Sequence, residues 1–415
     1  MAKDRKTKKE ISQMIGFDFF LDHYGIFLSI VFVFIGLMSL VYGLATAREK
    51  GHRLEFYLML FLIVGSGVGV ALSHNLLLMY ILWEISTFAV WRAVAYYRGD
   101  NEIFAASFTF LVNFAAATIM LVGFLMLYID NGTFDIFRIN VISDTAAILI
   151  LIGILAKSVT VPLHIWLAPA YNAIPSAIGG SLAGVAENLG AILFLRLFTM
   201  GNYAASGFFN AVAWIAIISS IIGGGVALRA NKLRSLLAFS TISQLGFVML
   251  AFAVGGTYGI LGGVLYIAAH ALAKSGLFYG VGVIEDATGE DDLRNVACLL
   301  RLSPVLGVSM AMLVGSIVGF FPMIGFFSKL TVVLGAVQKT AYFGIGAIVA
   351  AIFTLLYNTR FYHELFFGER CDVYKLRAKR PSYVGVAVAF ILALVSLLLG
   401  IFFYQPVQYL ISGSI

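Results

Sequence analysis

The sequence predicts an all-α membrane protein of about twelve transmembrane helices, arranged as two inverted five-helix repeats that each contain a broken helix. Three observations carry this. Of the 415 residues, 61% are hydrophobic and only 12% charged, with a mean hydropathy of +0.97. Soluble domains are nearer a quarter charged. The apolar residues form long unbroken runs, whereas a β-barrel would show short alternating segments. Two of the runs are too long for one straight crossing and contain a proline.

In chain order the runs fall at 24–45, 55–73, 75–97, 104–128, 144–168, 174–199, 208–228, 233–254, 258–284, 304–334, 341–366 and 383–405. Each is near or beyond the ~20 residues that a bilayer core requires. Pro162 interrupts the fifth run and Pro322 the tenth. A proline frees backbone groups that need protein or water partners, so these breaks are expected to line a cavity unless they are simple kinks. Residues 1–23 read as a basic tail and outer-face lead-in, and 24–54 as the first helix and its loop. Residues 55–207 and 208–382 read as the two repeats, and 383–415 as the C-terminal helix. Five crossings per unit, an odd number, make the second unit inverted, and broken helices in inverted repeats mark transport paths. Gly180-x-x-x-Gly184 and Gly276-x-x-x-Gly280 are expected to let helices approach closely. The glycines of "GSGVGV" at 65–70 lie within an apolar run with no strand before them, so they read as packing and not as a phosphate loop.

The net charge of +6 and pI of about 9.1 do not point to nucleic acid, because the positive residues lie in short loops between apolar runs. Arg48, Lys50, Arg53, Arg92, Arg98, Arg229, Lys232, Arg234, Arg294, Arg301, Arg360, Arg370, Lys375, Arg377, Lys379 and Arg380 share one side if both termini lie outside. Arg138, Arg196 and Lys339 fall on the other, so the loops favour that orientation. The tail "MAKDRKTKKE" opposes it. The first apolar run is longer than a cleavable signal's, so no such signal is expected. Two cysteines, Cys298 and Cys371, imply no disulfide framework. No metal cluster, Ser-His-Asp set or nucleotide motif is visible, which argues against soluble catalysis.

Chemistry is concentrated in the few ionisable groups at membrane depth: Glu84, Lys157, Glu187, Lys274 and Lys329, with His164 and His270. Each charge costs a few kcal/mol or more at mid-bilayer, so such groups face a partner or a wet cavity. Glu84 and Lys157 are one candidate ion pair. His270 and Lys274, four apart, share a helix face; the histidine is either a bonded core residue or part of a proton relay. In "FSTISQLG", Ser240, Thr241, Ser243 and Gln244 either hold waters or bond back to their own helix. A row of Glu, Lys and His joined by water could pass protons laterally.

From about residue 17 to 405 the chain resembles the antiporter-like subunits of respiratory complex I, multisubunit sodium/proton antiporters and membrane-bound hydrogenases. "LLLMYILWEIST" resembles the family's glutamate helix, here with Glu84. "AKSVTVPLHIWLAPAYNAIPSAIGG" is similar to its broken lysine helix, here with Lys157. "NKLRSLLAFSTISQLGFVML", "HALAKSGLFYG" with His270 and Lys274, and "GFFPMIGFFSKLTVV" with Lys329 resemble its later motifs. The chain departs at Asn188, where the family carries a lysine and where Glu187 is the neighbour, and at Tyr266, where it carries a histidine. The resemblance implies a subunit that moves protons, or sodium, through half-channels joined by a polar axis, with Glu84 modulating Lys157. The drive would be redox chemistry in partner subunits that hold iron–sulfur clusters, with no cofactor or metal on this chain. It implies other membrane subunits as partners, antiporter-like paralogues among them, with a peripheral redox module and lipid, in a prokaryotic cell (inner) membrane. A subunit of a non-redox antiporter and a non-conducting structural paralogue are the competing readings. The first apolar run resembles the family's third helix, so two N-terminal helices are expected to be absent, and a neighbouring subunit to take their place beside the basic tail.

Overall fold

The computed structural model describes residues 19–46, 52–296, 299–367 and 379–412. The basic tail, the loop residues Arg48, Lys50, Arg370, Lys375 and Arg377, and both cysteines lie outside the described residues. Within them the chain is helical, and its β contacts are isolated bridges. The first four helices are α1 (His23–Thr46), α2 (Arg53–Leu72), α3 (Leu76–Val94) and α4 (Asp100–Asn131). The first broken element follows as α5 (Asp144–Lys157) and α6 (Leu167–Ala173). The next span begins as α7 (Ser176–Gly184), tightens to a 3₁₀ turn at Ala186–Asn188, resumes as α8 (Leu189–Phe194) and widens to a π turn at Leu195–Thr199. Then come α9 (Ser206–Arg229), α10 (Leu233–Val254), α11 (Gly256–Thr288) and the single turn α12 (Leu299–Leu302). The second broken element is α13 (Pro304–Val318) and α14 (Ile324–Lys339), followed by α15 (Ala341–Phe367), α16 (Tyr383–Ile401) and the short α17 (Tyr404–Ser412).

Among the described residues, 10 helices are long and apolar enough to cross a membrane. The halves of the two broken elements, 14 and 7 residues and then 15 and 16, are each short of the ~20 a crossing needs. The breaks fall where the prolines predicted them. The 174–199 run, expected as one regular helix, contains the two irregular turns.

Burial sorts the helices into layers. The 176–199 span, α10 and α11 are almost wholly buried, while α1, α4, α9, α15 and α16 each expose an apolar face. A helix that is apolar all round belongs inside; one that presents apolar side chains outward belongs against lipid or another apolar surface. The glycine pairs act as their spacing suggested. Gly180 lies against the Tyr279 ring and Gly184 against Ser275 and Ile35, which brings α7 onto α11 and α1. Gly276 and Gly280 admit Leu313 and Met310 of α13. Gly67 and Gly69 of the "GSGVGV" stretch receive Val185 and Leu82, as packing requires.

Backbone devices recur in the two halves. Leu76 N–H donates to the Phe134 carbonyl and Ile136 N–H to that of His74, both at 2.9 Å. In the same pattern Leu233 N–H donates to Asp291 (2.8 Å) and Leu293 N–H to Asn231 (2.7 Å). Both α4 and α11 end on a left-handed glycine, Gly132 (φ 71°) and Gly289 (φ 75°). Each break turns through a left-handed residue, Val159 (φ 46°) and Gly319 (φ 93°), and closes a wide turn, Thr160 N–H to Leu155 and Phe320 N–H to Gly315, both 2.8 Å.

Candidate functional site

Each break carries one lysine, and the two are placed differently on the backbone. Lys157 is the last residue of α5. Lys329 belongs to the second half of its element, yet its Nζ reaches back to the carbonyls of Ile317 (2.7 Å) and Val318 (3.3 Å), the last residues of α13. A helix that stops mid-membrane leaves carbonyls unpaired and a partial negative charge at its C-terminus, and a cation satisfies both. Both lysines are buried, and aromatic rings flank them. Lys157 Nζ lies 5.6 Å from the Trp83 ring, and Lys329 Nζ lies 4.9 Å from Phe247 and 5.9 Å from Tyr266.

Glu84 and Lys157 do not form a direct ion pair. Lys157 donates instead to Thr87 Oγ1 at 3.1 Å, and both Glu84 carboxylate oxygens are buried without a hydrogen-bond partner. Thr87 lies one turn beyond Trp83 on α3 and donates to its carbonyl, which fixes the hydroxyl as an acceptor toward the lysine.

Glu187 is fully buried. Its Oε2 accepts from Tyr171 Oη at 3.1 Å, and the same phenol lies 3.3 Å from Thr241 Oγ1. Ser240, the preceding residue on α10, accepts from Lys274 Nζ, which also donates to the Leu237 carbonyl (3.1 Å). One helix turn from Lys274, His270 is buried with neither ring nitrogen partnered. One turn further, Tyr266 donates to Gln244 Oε1. Gln244 Nε2 donates to Tyr357 Oη (2.8 Å) and Thr354 Oγ1 (3.1 Å), with Ser243 Oγ 3.5 Å away. The Tyr266 ring then faces Lys329. The groups from Glu187 to Lys329 thus follow one another on packed elements: the 3₁₀ turn, α6, α10, α11 and α14. The α10 polar residues take both roles left open by the sequence: Ser240 bonds back to Leu237 (2.9 Å) and still accepts from Lys274.

The predicted His164, and Asn188 at the departure from the family pattern, stand apart from the row. His164 lies half-buried in the first break with Nδ1 unpartnered, and no hydrogen bond among the described residues joins it to the row. Asn188 is buried and donates to the Gly184 carbonyl (3.0 Å) on its own span. Pro162 and Pro322 sit in the breaks themselves.

Sequence reasoning missed Thr87, Tyr171, Thr354 and Tyr357. The available signal was helical spacing: Thr87 follows Glu84 by three residues on one face. Tyr171 gave no sign, because its partner Glu187 lies beyond a loop. Sequence reasoning also missed a clasp beneath the row. Arg234 forms an ion pair with Glu285 at 2.5 Å and donates to the carbonyls of Ile174 (2.6 Å) and Tyr171 (3.4 Å) and to Ser176 Oγ (2.9 Å). This pair floors a surface cavity of about 290 Å³ that Glu102, Asn172, Lys232, Glu290 and Asp291 also line. In the loop beside it, two guanidinium hydrogen bonds and the backbone amide of Arg294 hold the Asp292 carboxyl down at about 2.

Comparison with known proteins agrees with this architecture. Residues 73–354 match the family described as NADH:quinone oxidoreductase/Mrp antiporter, TM. A Staphylococcus saprophyticus protein that carries an antiporter-subunit name, mnhA2, is 29% identical over 430 residues, covering 94% of this chain and 53% of that protein. A Na(+)/H(+) antiporter subunit from Alkalihalophilus pseudofirmus is 27% identical over 391 residues, covering 86% and 48%. The chain therefore spans about half the length of these curated relatives. Its fold is shared with a chain of the Mrp complex from Dietzia sp. DQ12-45-1b (TM-score 0.85, 21% identity, 95% of this chain and 83% of that one). A chain of the membrane-bound sulfane sulfur reductase, an archaeal respiratory membrane complex, shares it equally (TM-score 0.86, 20% identity, 94% and 82%). An antiporter-like, multi-pass membrane subunit is what fold, motifs and matches describe together, and the chain belongs to the NADH:quinone oxidoreductase/Mrp antiporter transmembrane family.

Proposed function

We propose that this chain is the ion-translocating subunit of a multisubunit membrane complex and that it moves protons along the buried row from Lys157 to Lys329. The carrying observation is the succession Glu187, Tyr171, Thr241, Ser240, Lys274, His270, Tyr266 and Lys329: hydrogen bonds join Glu187 to Tyr171 and Ser240 to Lys274, Tyr171 meets Thr241, single turns of α11 separate Lys274, His270 and Tyr266, the Tyr266 ring faces Lys329, and Gln244 branches from Tyr266. Such groups pass protons by exchanging hydrogen-bond donors and acceptors. A row of ammonium groups repels a sodium ion, which favours the proton as the carried species.

The access leg follows from the Arg234–Glu285 clasp. The acidic cavity it floors lies one residue layer from Tyr171, whose carbonyl accepts from Arg234 and whose hydroxyl reaches Glu187. Here Glu187 takes over the relay position that Asn188 lacks, and Tyr266, one turn from His270, lies between it and Lys329. Two five-helix units, 55–207 and 208–382, inverted about the row, fit the recurrent backbone devices. Both termini would lie on the outer side of a prokaryotic cell membrane.

The energy source admits two readings, each with its own support. The curated relatives are named as antiporter subunits, which favours exchange of protons for sodium within an antiporter complex. The fold shared with a sulfur reductase chain favours a redox drive, with iron–sulfur clusters in a peripheral partner module. Antiporter-like paralogues would be the membrane neighbours in either case. Ion uptake into vesicles holding the intact purified complex tests the proposal. Lys157→Ala is expected to abolish uptake while assembly survives, and sodium dependence and a protonophore identify the ion. Wild-type uptake by that variant would refute conduction by this chain.

A further inference from the structure

Beside Lys157 lies a small, largely enclosed space between α3, α4 and the 176–199 span. It is lined by Thr87, Thr109, Asn113, Lys157 and Trp166 and leaves about 10 Å³ to the centre of a water molecule. That is close to the volume one ordered water needs. Its lining is polar where it matters. Thr109 and Asn113 lie four apart on the buried face of α4. Asn113 Nδ2 is used on the Thr109 carbonyl (2.9 Å), while Asn113 Oδ1 and Thr109 Oγ1 are buried without a partner. Trp166 Nε1 is committed to the Ala156 carbonyl (3.0 Å). Lys157 spends one N–H on Thr87, and its ammonium carries three.

We infer that this space is a site for one water molecule, which accepts from Lys157 and donates to Asn113 and Thr109, and that Asn113 is the residue that positions it. The inference rests on the proposed role of Lys157 and adds to it a residue of α4 outside the row. Burying two acceptors and an ammonium N–H unpaired costs about 1–3 kcal/mol each, and one water satisfies all three. When Lys157 releases its proton, the N–H bond breaks with its electron pair left on nitrogen, and a new O–H bond makes the water a hydronium. Asn113 Oδ1 and Thr109 Oγ1 then accept from that hydronium. The reverse step reprotonates the amine.

Uptake is measured in vesicles holding the intact complex with Asn113→Leu, Asn113→Ser, Thr109→Val and Lys157→Ala at equal incorporation. Leucine fills the space and removes the acceptor, and is expected to lower uptake about tenfold or more, the equivalent of one lost hydrogen bond to a charged group. Thr109→Val is expected to fall several-fold. Serine keeps an acceptor and leaves room for water, and is expected to stay within about twofold of wild type, a rescue that a packing role would not give. If Lys157→Ala is dead while Asn113→Leu and Thr109→Val pump normally, the water site is refuted and the row stands. A serine variant as impaired as leucine refutes it too. Wild-type uptake by Lys157→Ala overturns both readings.

Discussion

At Lys157 the hydrogen bond to Thr87 decides how the amine is held, and Glu84 makes no direct ion pair with it. Thr87→Val keeps the shape of the side chain and removes the acceptor. The expected outcome is about a tenfold fall in ion uptake with normal assembly, measured in vesicles, because a hydrogen bond to a charged group is worth about 1.5–3 kcal/mol. Tyr171→Phe is the companion change. It cuts Glu187 from Thr241 without disturbing the edge-on contact of the Tyr171 ring with Phe278, so uptake should fall while thermal stability of the complex holds. Individual charges were legible in the sequence because a charge deep in an apolar run is costly to retain. Their partners were not. Whether Glu84 meets Lys157 directly depends on side-chain direction within a turn of helix, and the spacing that offered a pair equally offered Thr87.

Among the elements, the two broken helices were legible from Pro162 and Pro322, and most helix ends fall within a few residues of the expected ones. The split of the 174–199 run into α, 3₁₀ and π segments was not legible, since no proline marks it and its cause is packing. The way the second break is held was equally hidden. Gly400 of α16 lies directly on the Pro322 carbonyl, and Gly325 on that of Ser316, approaches that leave no room for a Cβ. Gly400→Val is therefore expected to destabilise the chain by about 1–3 kcal/mol through overpacking against backbone that cannot move aside. A lowered midpoint of thermal unfolding in detergent is the measurement, and an unchanged midpoint would mean that α16 can shift as a unit. Lys329 attends the carbonyl end of the first half-helix of its break, whereas Lys157, the last residue before its own break, turns its amine to Thr87 on α3.

For the whole molecule, the layered burial and the loop charges give a definite topology to check. With Cys298 and Cys371 replaced by serine, a single cysteine at Asp291 should react with an impermeant thiol reagent from the cytoplasmic side only. One at Asn140 should react from the outer side only, and the opposite pattern would invert the orientation. Composition sufficed for the membrane class, and the motifs for the family. What composition could not reveal is that a row of buried polar groups lies within and beside the three most buried spans. Lys157, Glu187, Lys274 and Lys329 each stand near the middle of a crossing and succeed one another from helix to helix. A membrane voltage acts along the bilayer normal, whereas a proton moving along this row, as proposed, would travel across that direction. The proposed lateral journey would then be electrically almost silent. The work of roughly 2.3 kcal/mol per charge per 100 mV is confined to the short legs that connect the row to either surface.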